Sequence, residues 1–140
     1  MLQKVIADGS ALSKLAEFVE AQGGNPEAVY RPELLPQAKI QCPIVAPVSG
    51  YISRIVCDEV GICSLILGGG RETKESEIDL AVGLVLCKKV GDYVREGEPL
   101  AMIHANDENK VYVAKERYLA ACTISGEAPV KLPLIRDIIS

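Results

Sequence analysis

The sequence predicts an α+β fold, with strands outnumbering helices after residue 39. Three observations carry that expectation. Leu12, Leu15, Phe18 and Val19 share one face at helical spacing, while Lys14, Glu17 and Glu20 fall elsewhere. After residue 39 the apolar residues come in short runs bounded by Gly and Pro, as strands do. A second helical stripe, Val111, Ala114, Tyr118, Ala121 and Cys122, follows those runs. At 140 residues, 49% apolar and 24% charged, the chain supports one domain and a fragment of another, with a core that needs no disulfide.

Taken in order, Leu2, Val5 and Ile6 suggest a turn or two of helix before Asp8-Gly9. Ser10 is the expected N-cap of the next helix, and Gly23-Gly24 its stop. Asn25-Pro26 and the prolines at 32 and 36 then punctuate an extended run, 27–39, whose composition suits a linker between two bodies. Ile40, Cys42, Ile44 and Ala46 read as a strand that Pro43 and Pro47 confine to an edge or a bulge. Ser49-Gly50 turns the chain into a second strand at 51–56. Asp58 is expected to cap a short apolar helix over 59–67, stopped by Gly68-Gly69-Gly70; a strand stays open there, because short apolar runs fit both periods. Residues 71–77 form an exposed charged loop, and 79–89, rich in Val and Leu, is the strongest strand candidate. Turns at Val90-Gly91-Asp92 and Gly97-Glu98-Pro99 lead into a strand over 100–105. Asn106 or Asp107 then caps the second helix. The apolar, Pro-broken tail, 128–139, is expected to pair with the sheet.

Composition restricts the chemistry. Fifteen Lys and Arg against 19 Asp and Glu give a net charge of −4, with no basic stripe for a phosphate backbone. One Phe, five Tyr and no Trp offer little on which single-stranded nucleic acid could stack. No nucleic-acid partner is expected. No membrane association is expected either, since no stretch approaches the ~18 apolar residues of a membrane span. The first residues lack an uninterrupted apolar segment, so no secretory signal is expected. Cys42, Cys57, Cys63, Cys87 and Cys122 contain no Cys-x-x-Cys pair, which removes zinc-ribbon and thioredoxin-type motifs. Each reads as a free thiol in a reducing cytosol, packed as a small buried hydrophobe.

Gly68-Gly69-Gly70-Arg71 invites a phosphate-loop reading, because bare N–H groups can converge on an anion at a helix N-terminus. Here the glycines follow a helix, at its negative end, and match neither the Gly-x-Gly-x-x-Gly nor the Walker spacing. A helix stop leading into a loop is expected, with Arg71 the candidate ligand contact. His104 is the sole histidine, which excludes a site needing two imidazoles within one chain. Asp107 or Glu108 could orient it as a base, yet no Ser or Cys nucleophile stands in an elbow nearby. Local hydrogen bonding at the strand-to-helix turn is therefore expected for it. Glu72, Glu75, Glu77 and Asp79 could suggest a cation site, but Arg71 and Lys74 interleave them, which suits a solvated loop. The residues alone assemble no active site.

Longer stretches carry more. Ala46-Pro47-Val48-Ser49-Gly50-Tyr51-Ile52 is followed by Leu67-Gly68-Gly69-Gly70-Arg71-Glu72-Thr73-Lys74, by Ile78-Asp79-Leu80-Ala81-Val82-Gly83, and by Val90-Gly91-Asp92-Tyr93-Val94-Arg95-Glu96-Gly97-Glu98-Pro99-Leu100-Ala101-Met102-Ile103-His104-Ala105-Asn106. In that order the set resembles the C-terminal domain of pyrimidine-nucleoside phosphorylases, the group that includes thymidine phosphorylase. Asp8-Gly9-Ser10-Ala11 and Phe18-Val19-Glu20-Ala21-Gln22-Gly23-Gly24 are similar to the last helices of that family's central α/β domain.

The resemblance implies a small mixed or antiparallel sheet of barrel-sandwich-hybrid (hammerhead) type with flanking helices. Residues 1–38 would be the terminal helices of the preceding α/β domain plus a Pro-rich linker, and 39–140 the C-terminal α+β domain. It implies a longer, cytoplasmic, homodimeric parent that converts a pyrimidine nucleoside and phosphate reversibly into free base and (deoxy)ribose 1-phosphate. Phosphate and nucleoside would bind only in the intact enzyme, through α/β and helical domains upstream of this chain. The family's Lys-His-Ser-Thr-Gly-Gly and Gly-Gly-Thr-x-Asp motifs are absent here, so no catalytic, cofactor-binding or metal-ligating residue is carried over. The loop beginning at Gly68, Gly69, Gly70 and Arg71 is the expected cleft-facing element.

Two other readings stand beside this one. Ala46-Pro47 with Gly50, and Gly91-Asp92 with Val94, Gly97 and Leu100, also resemble biotinyl and lipoyl carrier domains, although Lys110 lacks the flanking pattern of a modified lysine. A stand-alone interaction module is the other. Under truncation, Leu12, Leu15, Phe18 and Val19 are expected to fold back on the domain or pair with another copy.

Overall fold

The computed structural model describes residues 1–71, 73–130, 133, 135, 137 and 139. The chain divides into two units, Met1–Gln37 and Ala38–Ser140.

The first unit holds α1 (Leu2–Ala7), α2 (Ser10–Ala21), the single turn α3 (Glu27–Tyr30) and a 3-10 turn at Pro32–Leu34. Gly9 bends the chain between α1 and α2 at φ 77°, a left-handed conformation that suits glycine. That geometry displaces Ser10 from the expected cap position: Gly9 is the N-cap, and Ser10 is the first helical residue. Its N–H is taken instead by Asp8 Oδ1 at 3.0 Å. Gly24 N–H closes the far end of α2 onto the Val19 carbonyl at 2.9 Å. The run 27–39 is not extended throughout, as the prolines suggest. Asn25 Oδ1 accepts the Glu27 N–H at 3.0 Å, Pro26 stands where a first helical turn tolerates it, and Arg31 clamps Glu27 and Glu33 at 2.8 and 3.0 Å. Short-range side-chain bonds thus fold locally what composition marks as linker.

The second unit contains β1 (Ile40–Val45), β2 (Gly50–Ile55), α4 (Cys57–Leu67), β3 (Gly83–Leu86), β4 (Tyr93–Val94), β5 (Pro99–Ala105), α5 (Glu108–Ala121) and β6 (Cys122–Ser125). The strands form two three-stranded sheets, ordered β1-β5-β3 and β4-β2-β6, and every pairing is antiparallel. β1 is an edge strand with a register slip between Ile44 and Val45, a place where Pro43 can lack an N–H without breaking an interior ladder. The α+β class holds, with two small antiparallel sheets.

Four sequence expectations shift here. Asp58 is not a cap, because α4 begins at Cys57 with Val56 at the N-cap position; Asp58 lies in the first turn, where a carboxylate still favours the helix dipole. The strand expected over 79–89 shortens to Gly83–Leu86, because the Asp79 side chain accepts the Ala81 N–H and makes a turn of the residues before it. Cys122 starts β6 instead of ending α5, pairing with Ile55. The strand that completes the second sheet is β6, and the described tail residues 128–130, 133, 135, 137 and 139 belong to none; Lys131, Leu132, Leu134, Arg136 and Ile138 lie outside the described residues.

The core lies between the sheets' apolar residues and the α4–α5 pair. Ile44, Ile52, Val94, Leu100 and Ile103 are completely buried, each side chain contributing about 1.5–3 kcal/mol on leaving water. Ala114 and Tyr118 of α5 and Cys63 of α4 complete it. The small residues at 63 and 114 permit a close approach of the helices, and Cys63 Sγ donates to the Ala114 carbonyl at 3.4 Å. Cys63 fits the expected buried thiol. Cys42 and Cys122 are half-buried, and Cys57 and Cys87 are exposed, so that expectation fails for the last two. They stand at element ends, Cys57 opening α4 and Cys87 just past β3, where no layer covers them.

Candidate functional site

Past its acidic first turn, the helix α4 is mostly apolar and has to stop abruptly. Gly68 supplies the stop at φ 107°. The Gly68 N–H returns to the Leu65 carbonyl at 3.0 Å and the Gly69 N–H to the Ser64 carbonyl at 2.9 Å. A methyl group built at Gly69 would stand 2.8 Å from Ser64 Oγ and 3.2 Å from the Ser64 carbonyl oxygen, so a side chain there would have to push the Ser64 hydroxyl aside. The N–H groups of Gly68 and Gly69 are therefore spent on the helix end, which carries the negative pole of its dipole. This is the reverse of a phosphate cradle. Gly70 and Arg71 follow, the latter exposed and free of ion pairs among the described residues.

Beyond Arg71 the loop turns on itself. The Ser76 N–H donates to the Thr73 carbonyl at 3.2 Å, and the Thr73 N–H to Ser76 Oγ at 3.1 Å. Glu75 and Glu77 are exposed, and Glu72 lies outside the described residues. The loop closes where the Asp79 N–H meets the Gly68 carbonyl at 2.9 Å.

Asp79 is the keystone of that closure. Its Oδ1 accepts the Ala81 N–H at 3.0 Å, and its Oδ2 accepts Asn106 Nδ2 at 2.7 Å. The Ala81 donor first, then Asn106 and the nearby Lys110 ammonium, hold its carboxyl below the usual carboxylate range. Asn106 also accepts the Lys39 N–H at 2.9 Å through Oδ1. Asp107 does the capping: its Oδ1 accepts the N–H groups of Asn109 and Lys110 at 2.8 and 3.3 Å. The Asn-Asp pair before α5 thus divides its work. Sequence reasoning treats the two as competing caps and misses the second role; two capping residues in a row, where a helix uses one, is the signal that could have revealed it.

His104 sits on β5 opposite Gln41 and Gly83, half-buried beside a cavity of about 220 Å³ lined by residues 81–85. Among the described residues its ring makes no hydrogen bond, so the local bonding expected for it does not form. Asp107, the candidate to orient it, is engaged at the helix end. No cluster of three or more His, Cys, Asp or Glu among the described residues could hold a metal ion, and no described helix is long and apolar enough to cross a membrane. Lys110 lies within α5, whereas a carrier lysine has to stand on an exposed hairpin. The carrier alternative finds no support.

Comparison with known proteins agrees with the order of motifs. The chain is 51% identical over 116 residues to a pyrimidine-nucleoside phosphorylase of Staphylococcus haemolyticus, covering 83% of this chain and 27% of the relative. It is 50% identical over 141 aligned positions to the pyrimidine-nucleoside phosphorylase of Geobacillus stearothermophilus, covering 100% of this chain and 32% of that enzyme. The Bacillus subtilis pyrimidine-nucleoside phosphorylase matches at 50% over 108 residues, or 77% of this chain and 25% of the relative. The chain spans about a quarter to a third of the length of these curated relatives. Residues 51–125, from the second residue of β2 to the end of β6, match the family model described as the pyrimidine nucleoside phosphorylase C-terminal domain. The chain belongs to that family.

Proposed function

We propose that this chain is the cleft-flanking C-terminal part of a pyrimidine-nucleoside phosphorylase, which converts a pyrimidine nucleoside and phosphate into free base and (deoxy)ribose 1-phosphate. The observation that carries this reading is the 50% identity along the whole chain to an enzyme about three times as long. Phosphorolysis needs a phosphate nucleophile held beneath a sugar with developing positive charge, and donors facing the departing base.

In this reading residues 1–38 end the preceding α/β domain and supply the linker, and 39–140 form the C-terminal domain, a barrel-sandwich hybrid built of the two small sheets. The exposed face of α2, with Phe18 62% accessible, suits a helix whose partner lies elsewhere in the longer enzyme. The parent is a cytoplasmic homodimer joined through its helical domain. The loop 68–77 faces the cleft, with Gly68, Gly69 and Gly70 fixing its root and Arg71 at its start, a cation without an ion pair among the described residues. Closure of such a loop excludes water from the reacting sugar.

The test is phosphate-dependent cleavage of uridine and thymidine by the chain alone and by the full-length enzyme. The chain alone is expected to be inactive and the full-length enzyme active. Arg71→Ala in the full-length enzyme is expected to lower kcat/KM by about tenfold, the effect of one charge-assisted contact. Activity in the isolated chain defeats the flanking role; an unchanged kcat/KM in the variant removes Arg71 from the cleft.

A further inference from the structure

We propose that Asn106 is a positioning residue for the reaction, acting through Asp79 to hold the loop 68–77 in register with the start of the C-terminal domain. The inference rests on the reading that this loop faces the cleft. Its basis is a continuous chain of bonds. Gly68 O accepts from Asp79 N–H at 2.9 Å, Asp79 Oδ2 accepts from Asn106 Nδ2 at 2.7 Å, and Asn106 Oδ1 accepts from Lys39 N–H at 2.9 Å. One amide side chain thus ties three separate segments: the returning limb of the loop, the β5–α5 junction, and the residue just before β1. Lys39 lies at the start of the second unit, so the tie joins the loop's root to the point where the chain enters that unit.

Asparagine is the side chain suited to this place. It presents one acceptor to a backbone N–H and one donor to a carboxylate, and neither end can be reversed without setting two donors or two acceptors face to face. Helix capping does not explain it, since Asp107 caps α5 alone. Asp79 brings the complementary pattern, one oxygen on the Ala81 N–H and the other on Asn106. A loop held at both roots this way has fewer positions to search when the cleft closes, and small misplacements at a reacting centre are costly in rate.

The arrangement permits an exchange test in the full-length enzyme. N106D sets two carboxylates against each other, and D79N sets two NH₂ groups against each other. The double variant D79N/N106D restores every bond, with donor and acceptor traded only between 79 and 106: the new amide at 79 still accepts from Ala81 and donates to the new carboxylate at 106, which still accepts from Lys39. Each single variant is expected to raise amide hydrogen exchange over residues 73–81 about tenfold, and to lower kcat for uridine phosphorolysis by a similar factor, with KM for uridine and phosphate changing less. The double variant is expected to recover both quantities to within about threefold of the parent, a non-additivity that only a direct pair produces.

Singles with unaltered exchange, or a double variant no better than the worse single, overturn the proposal. If the singles do not fold, recovery of a folded, active double variant supports it, and failure of all three overturns it. Exchange that follows the cycle while kcat stays at the parent value in all three variants overturns the positioning role of Asn106 in the reaction. Arg71→Ala, measured in parallel, separates that outcome from failure of the cleft-facing reading, because the exchange readout does not depend on where the loop points.

Discussion

Cys63 and Ala114 touch where α4 crosses α5, the Cys63 Sγ lying 3.4 Å from the Ala114 carbonyl oxygen, and both residues are completely buried. The helix pair approaches closely because neither residue is large. Burial also pushes the Cys63 thiol up, so it stays protonated and able to donate to that carbonyl.

Overpacking this contact is the first prediction. Cys63→Leu is expected to destabilise the fold by about 2 kcal/mol, since extra methylenes have no space to enter. Cys63→Ser keeps both size and donor and is expected to stay within about 1 kcal/mol of the parent. Urea unfolding midpoints of the two variants check this; equal midpoints would show that the crossing tolerates bulk.

Tyr118 offers the opposite case. Its ring fills the core with no accessible surface, yet its hydroxyl has no hydrogen-bond partner among the described residues. Burial first, and then the neighbouring Cys122, Cys87 and Cys63 thiols, push its pKa up to about 12 from the ordinary 10.0. Tyr118→Phe removes an unpaired polar group and is expected to raise stability by about 1 kcal/mol.

The raised value also sets an alkaline limit. The folded chain keeps the phenol neutral where the unfolded chain ionises it, so this stability is fully present below pH 10.0, is lost as pH rises above it, and is gone above about 12. Thermal melts across that window should fall more steeply for the parent than for Tyr118→Phe. Parallel slopes would show that the phenol does not govern the limit.

Asp107 is the cap on which α5 depends, holding two N–H groups with one oxygen. Asp107→Ala is expected to cost about 1 kcal/mol, and Asp107→Asn far less, because the amide oxygen can still accept. Comparison of thermal unfolding for the two variants tests it. The preceding Asn106 is expected to be unable to take over, because its own oxygen is occupied by Lys39.

Much of this molecule is legible in the order of its residues. The stripe on α2, the glycine stop of α4, the edge placement forced by Pro43 and the 100–105 strand all follow from local periodicity and from residues with restricted or unusual backbone freedom. The less legible parts depend on side chains reaching across short gaps. Asn25 and Arg31 fold residues 27–34 locally, and Asp79 turns the first third of the anticipated 79–89 strand into a bend. An isolated Asp or Asn offers several partners, and periodicity does not say which one it takes.

The candidate site divides along the same line. Gly68, Gly69, Gly70 and Arg71 attract notice as a motif, and the family resemblance is written in consecutive residues, so sequence alone determined the class and the family. Asn106 is marked only as the last residue of a family-like run and as one of two adjacent capping residues, neither of which names its partners. Its link to Asp79 spans 27 residues and its link to Lys39 spans 67, distances that a helical or strand period does not encode. Only the tertiary fold decided that those groups meet, because antiparallel pairing of β1 with β5 carries Ile40 opposite Ala105 and so sets Lys39 beside Asn106.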